Sequence, residues 1–396
     1  MDDFHTDVTL GPTLLAEAEA FNDDIISWRR DFHQFPEHAF EEYVTSSKIA
    51  NILRSFDGVK VISGYKMPTC VVAVIGEELP GQSVLLRSPI DAISIEERTG
   101  LQFSSCMPGL MHACGHDAHI ASLLAAAKLL SMHKDELRHT VVLLFQPAAE
   151  SSEGAKTLIE GGMVEEFNIG HAINLHWWPE MPYSQLLTKK KALTSISDKI
   201  HIDITGTQGP ASEPHLTVDP VLISAHIMIA VQTMLSRDVD PRDPVSVSFA
   251  KIEAGDTYNI IPEHANLWGT LRAYSHETRD LVHSRIEEIA PAIAKIFKGL
   301  ATVEYTKNYD HVENDTEFTK KLLEIAYPFF GGDGISMLDK PLLTGDDFSY
   351  FSNRIPSTFL LLGTGLEYKL RHPQYDTPES MLPFSAAWEA YMALSL

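Results

Sequence analysis

The segment MHACGHDAH (111–119) sets a thiol and an imidazole, Cys114 and His116, on either side of one glycine. Thiolate sulfur and imidazole nitrogen both suit a borderline-soft divalent ion, zinc above all. Taken alone, the motif fits equally a buried cysteine beside histidines that cap a helix. Two further positions tip the balance. The apolar run TVVLLFQP (140–147) opens into AAES, which puts Glu150 just past the carboxyl end of a strand. The run HAINLHWWP (171–179) brings His176 to a similar place. Ligands of open α/β sheets gather at strand ends of this kind. A lone His or Glu there is usually just solvated, but Cys114, His116, Glu150 and His176 read together as one metal site. Trp177 and Trp178, beside His176, suit either core packing or the lining of an acyl pocket.

Such a site needs a scaffold. Apolar positions at three- and four-residue spacing predict helices over 13–56 and 120–133. β-Branched runs at 71–76, 83–90 and 140–147 predict strands. Apolar strands alternating with helices imply an α/β fold, with a mixed sheet covered by helices on both faces. Further on, 196–206, 244–255, 265–274 and 301–309 read as strands. Helices are expected at 218–237, opened by Asp219 and Pro220, and at 276–299, interrupted by Pro291. The order β-α-β-β-α-β is that of a ferredoxin-like split unit. It is placed at 194–309, between two parts of a larger domain, 1–193 and 310–396, the second resuming with a helix at 316–330.

The chain has 396 residues and a formal charge of −23. So acidic a surface repels phosphate backbones and anionic lipid, so neither nucleic acid nor membrane is an expected partner. Three cysteines cannot build a disulfide framework, which points to a reducing compartment. The first residues lack a basic then apolar leader, and no run approaches ~18 uninterrupted apolar residues. A cytoplasmic location is the expectation.

Over nearly its whole length the chain resembles the amidohydrolase branch of the aminoacylase and carboxypeptidase-type co-catalytic metallopeptidases. That branch includes hippurate hydrolases, N-acetyl-diaminopimelate deacetylases and plant hydrolases of indole-acetyl amino-acid conjugates. The segments that carry the likeness are WRRDFHQFPEHAFEE (28–42), IEERTGL (95–101), MHACGHDAH, FQPAAES (145–151), LHWWP (175–179), PHLTVDP (214–220), AGDTYNIIP (254–262), GTLRAY (269–274) and GDDFSYF (345–351). The resemblance implies a centre of one or two zinc or manganese ions on Cys114, His116, Glu150 and His176, with a further histidine near the C-terminus. It implies a catalytic role for Asp91, and Asn259 and Arg272 as the grip on a substrate carboxylate. A guanidinium fork matches a carboxylate in shape and charge. It also implies a small N-acyl amino acid or related amide as substrate, and a homodimer formed through the inserted domain acting as a lid.

Four positions depart from that pattern. The family has two consecutive glutamates at the strand end, a general base and then a ligand; here they are Ala149 and Glu150. A methyl group cannot take a proton from water, and a positioned base is worth about 10²–10⁴-fold in rate. The lid histidine is replaced by Pro210 in GTQGPASEPH (206–215), and His215 belongs to a different family position. The C-terminal ligand position in LRHPQYD (370–376) holds Arg371, so that a slip of one residue is needed to bring His372 into the ligand set. In RSPID (87–91), Pro89 stands where the family has its first aspartate. Ala149 alone would suit an engineered base knockout, whereas four departures on one cleft suit divergence. Two readings follow: an amidohydrolase that has lost its usual base, or a silent or non-hydrolytic homologue that binds, condenses or cyclises.

Overall fold

A computed structural model describes residues 9–396. Residues 1–8, on which the expectation about a leader segment partly falls, lie outside the described residues. The chain divides into two compact units. The first runs to Leu193 and takes in Val312–Lys340 and Asp346–Leu396; the second is Thr194–His311 with Pro341–Gly345. The return of Pro341–Gly345 to the second unit has no sequence signal among the motifs above.

The first unit is built on an eight-stranded mixed sheet. In spatial order its strands are Val59–Ser63, Val71–Ile75, Val141–Gln146, Ser83–Pro89, Ile169–Trp178, Ser357–Gly363, Leu186–Thr188 and Ile335–Met337. The four central strands, from Val141–Gln146 to Ser357–Gly363, run parallel. Three of these four are buried at every residue, and Ile169–Trp178 nearly so, which explains their unbroken apolar runs. Helix His116–Met132 is apolar nearly all round and lies between the sheet and helix Leu382–Ser395, with Leu123, Leu124 and Trp388 wholly buried. The stretch 13–56 is three helices, Leu10–Ala20, Asn22–Gln34 and Tyr43–Arg54. The helix expected from residue 120 begins at His116, so both His116 and His119 sit on its first turn.

The second unit has a four-stranded antiparallel sheet in the order Val245–Ala254, His264–Ala273, Ile196–Thr205, Leu300–Tyr309. Helices Pro220–Asp238 and His276–Ile296 pack on it through Ile223, Ile227, Val231, Val282 and Ile286. The connectivity is β-α-β-β-α-β. Pro291 does not interrupt the second helix; it lies on the exposed face, where water can satisfy the carbonyl it leaves unpaired. Helix Pro220–Asp238 is the one described helix long and apolar enough to cross a membrane by length and composition. Its apolar face is part of this unit's core, and Asp219 caps its start by accepting the N–H groups of Val221 and Leu222.

Candidate metal centre

Three neighbouring parallel strands deliver the site at their carboxyl ends. Ser83–Pro89 leads to Asp91, Val141–Gln146 to Glu150, and Ile169–Trp178 carries His176 near its end. Cys114 lies in the turn just before helix His116–Met132, and His116 opens that helix. Gly115 between them has φ +75°, and a Cβ there would stand 3.0 Å from the Tyr375 hydroxyl and 3.2 Å from Thr377 Cγ2. Only glycine accepts both the left-handed backbone and the close approach. The turn after Gln146 is also tightly held. Ala148 takes φ +56°, and its N–H donates to Glu42 at 2.9 Å.

The ligand atoms of Cys114, His116 and Glu150 lie within 4.8 Å of one another, and so do those of His116, His119 and His176. The protein sets the tautomers. His116 Nδ1 donates to the Asp91 carbonyl at 2.8 Å, and His176 Nδ1 to the Trp177 carbonyl at 2.8 Å. Each Nε2 therefore keeps its lone pair, as a metal ligand must. His119 is the reverse case. Its Nε2 accepts the Trp177 N–H at 3.0 Å, so the proton sits on Nδ1, a buried donor with no partner inside the protein. Asp91 serves two members of the cluster: its carbonyl and Oδ1 (3.3 Å) hold His116, and its Oδ2 accepts the Glu150 N–H at 2.8 Å.

Electrostatics agree with a site built for a cation. Burial pushes His176 down to about 4 and, with His176 and His116 beside it, puts His119 well below the usual range; both rings are neutral at pH 7. Burial works against charge on His116 too, but Asp91 and Glu150 lift it. Burial, then Glu150, hold the Cys114 thiol well above its ordinary value. A bound cation would reverse that, since metal coordination draws the proton from a thiol. Cys114, His116, Glu150 and His176 fit a divalent ion by their donor types and by these free lone pairs.

Two ionic networks support the site. Asp117, next to His116, accepts from Arg29 Nε and His33 Nδ1, both at 2.8 Å, and His33 Nε2 meets Glu97 at 3.2 Å. Beneath the sheet ends, buried Arg87 bonds Gln146, Asn174, Asp346 and Asp347. Asp347 also accepts from Gln146 Nε2 at 2.7 Å and the Ala155 N–H at 3.0 Å.

Of the residues expected from sequence, Cys114, His116, Glu150, His176 and Asp91 come together. Ala149 is half-buried beside Glu150 and offers no acceptor in its side chain. His372 is not brought into the cluster: its Nδ1 accepts the Gln374 N–H at 3.1 Å and its ring stacks on Tyr368. Arg371 is there instead, donating from Nη2 to Glu150 Oε2 at 2.7 Å. Asn259 and Arg272 belong to the second unit, where Asn259 accepts from Thr257 at 2.8 Å and Arg272 donates to Tyr309 at 3.3 Å. Pro210 pairs with Ile260 in a short two-stranded ribbon of that unit. His119 is the residue that sequence reasoning passed over. Its spacing of three from His116 on a helix, which puts both on one face, is the signal that could have found it.

The family and relatives that the chain matches make it a hydrolase of the co-catalytic metallopeptidase type, a metal-dependent amidohydrolase. The family model described as Peptidase family M20/M25/M40 matches residues 85–394, and the chain belongs to that family. Thermostable carboxypeptidase 1 of Saccharolobus solfataricus is 33% identical over 388 residues, covering 96% of each chain. N-acetylcysteine deacetylase of Bacillus subtilis is 31% identical over 376 residues, covering 95% of this chain and 97% of its own. Among solved structures, a Bacillus subtilis protein described as a dinuclear metal-binding peptidase from the M20 family superposes with a TM-score of 0.80 at 29% identity, over 95% of this chain and 98% of that one.

Proposed function

We propose that the chain acts on small N-acyl amino acids that carry a free carboxylate, using a divalent ion, zinc or manganese, held by Cys114, His116, Glu150 and His176. The observation that carries this is a pair of clusters sharing His116, which bring together three ligand types, thiol, imidazole and carboxylate, with both imidazole Nε2 lone pairs left open. When bound, the ion supplies Lewis acidity toward a carbonyl and a more acidic water. The chain's own residues do the rest. Asp91 positions His116 and Glu150, and the unspent Nδ1–H of His119 is a donor for an anionic oxygen. The reading taken from the family gives Arg272 and Asn259 the grip on the substrate carboxylate; Arg272 itself donates to Tyr309. The name of the Bacillus subtilis deacetylase, an N-acetylcysteine enzyme, supports this substrate class.

A homodimer through the second unit belongs to the same proposal. Ile229, Ile296 and Leu300 of that unit are 65%, 75% and 72% exposed, an apolar cost that a partner surface would offset. A cytoplasmic location is also part of it, supported by Cys70 and Cys114 being buried free thiols.

One observation favours a second reading. Ala149 removes the proton acceptor beside the ligand, which suits a silent homologue or one that condenses or cyclises rather than hydrolyses. Metal analysis joined to a hydrolysis assay over a panel of N-acetyl and N-benzoyl amino acids decides between them. Metal-loaded protein that releases the free amino acid supports the hydrolase. Metal-loaded protein that is inert toward the whole panel sinks it and leaves the second.

A further inference from the structure

Arg371 is the point where this cleft differs most from a two-metal one. Its guanidinium donates to Glu150 Oε2 at 2.7 Å and to the Cys114 thiol. It thus grips two members of the Cys114–His116–Glu150 group. The backbone fixes it in place: Arg371 has φ +66°, and its N–H donates to the Ala113 carbonyl, one residue before Cys114, at 2.7 Å. The same bend turns His372 away, onto Tyr368. Guanidinium is charged at every working pH and presents a planar fork to a carboxylate. A second divalent ion would have to displace it from its acidic partner and then stand beside a fixed positive charge.

We propose that the Arg371 guanidinium is a resident cation standing in for one of the two metal ions, so that the cleft takes a single divalent ion on the inward lone pairs of His116 and His176, with Cys114 and Glu150 held by the guanidinium. This rests on the metal-dependent reading above and narrows its ligand set from four residues to His116 and His176.

Zinc counting on the full chain tests it, by native mass spectrometry and elemental analysis after dialysis against zinc. Wild-type protein is expected to hold one zinc per chain. Arg371→His, which supplies a ligand in place of the charge, is expected to hold two. Arg371→Gln, which deletes the charge and supplies no ligand, is expected to keep one and bind it at least about tenfold more tightly by calorimetry, since a fixed repulsion is gone. Two zinc ions on the wild type overturn this proposal alone. No zinc on the wild type, with manganese tried in its place, overturns both it and the metal-dependent reading. A single zinc on an Arg371→His protein that melts like the wild type also overturns it. If that variant does not fold, Arg371→Gln decides: unchanged or weaker affinity for the single ion counts against the guanidinium as a resident cation.

Discussion

The two sides of the segment 111–119 have fared differently. On its supporting side, Asp117 is held by Arg29 and His33, and His33 in turn by Glu97. On its reacting side, Cys114 and His116 lie near Ala149, whose side chain has no acceptor, and near Arg371, which bonds Glu150. The supporting side is tied by buried ion pairs, and the reacting side is where the proposed chemistry would lie. Positioning and reactivity are separable here because different residues carry them, through different elements.

The largest expected effect restores the reacting side. Ala149→Glu should raise kcat/KM for an N-acyl amino acid by about 10²–10⁴-fold. An unchanged rate would place the decisive loss elsewhere, with Arg371 or Pro210. Next comes the support beneath the strand ends. Arg87→Met leaves Asp346 and Asp347 buried without their cation and should cost about 3–5 kcal/mol in urea denaturation. Adding Asp347→Leu should recover part of that loss, whereas full additivity would show that the residues do not act as one network.

The His33 pair gives a smaller effect with a sign. Burial works against charge on His33, but Asp117, then Glu97, raise it from 6.5 to about 9. Its folded value exceeds its unfolded one, so this stability is fully present below pH 6.5 and is lost as pH rises through 9. The loss should reach about 3 kcal/mol, and His33→Gln should flatten stability over that window. Glu97 runs the other way. Burial raises it, but hydrogen bonds from His33, Thr99 and Ser105 bring it down to about 2, so its contribution is present above pH 4.5 and is lost as pH falls through 2. Smallest is the cap of Pro220–Asp238: Asp219→Ala should cost about 1 kcal/mol and leave zinc affinity unchanged. A change in zinc binding there would mean that the two units are coupled.

Much of this was legible in the sequence, for identifiable reasons. Unbroken apolar runs mark buried parallel strands, so the places where the chain leaves them, at Glu150 and near His176, could be found without coordinates. The order of elements from 196 to 309 gave the second unit's connectivity. What stayed hidden depends on contacts far apart in sequence or on single backbone angles. Arg87 meets Asp347 across 259 intervening positions of no shared periodicity. Whether residue 371 or 372 reaches the cluster turns on one left-handed residue in an irregular loop. His119 was hidden because its helix was expected to start four residues later than it does.

Asp91 has one more consequence. It steadies His116 through its carbonyl and Glu150 through its carboxylate, so two members of the cluster from separate elements share a single pivot. That pivot follows a strand ended by Pro89, whose ring allows almost no rotation about φ. The centre is therefore less a set of independent pegs than a linkage with one stiff joint. Loosening the joint would let His116 and Glu150 drift together rather than one at a time.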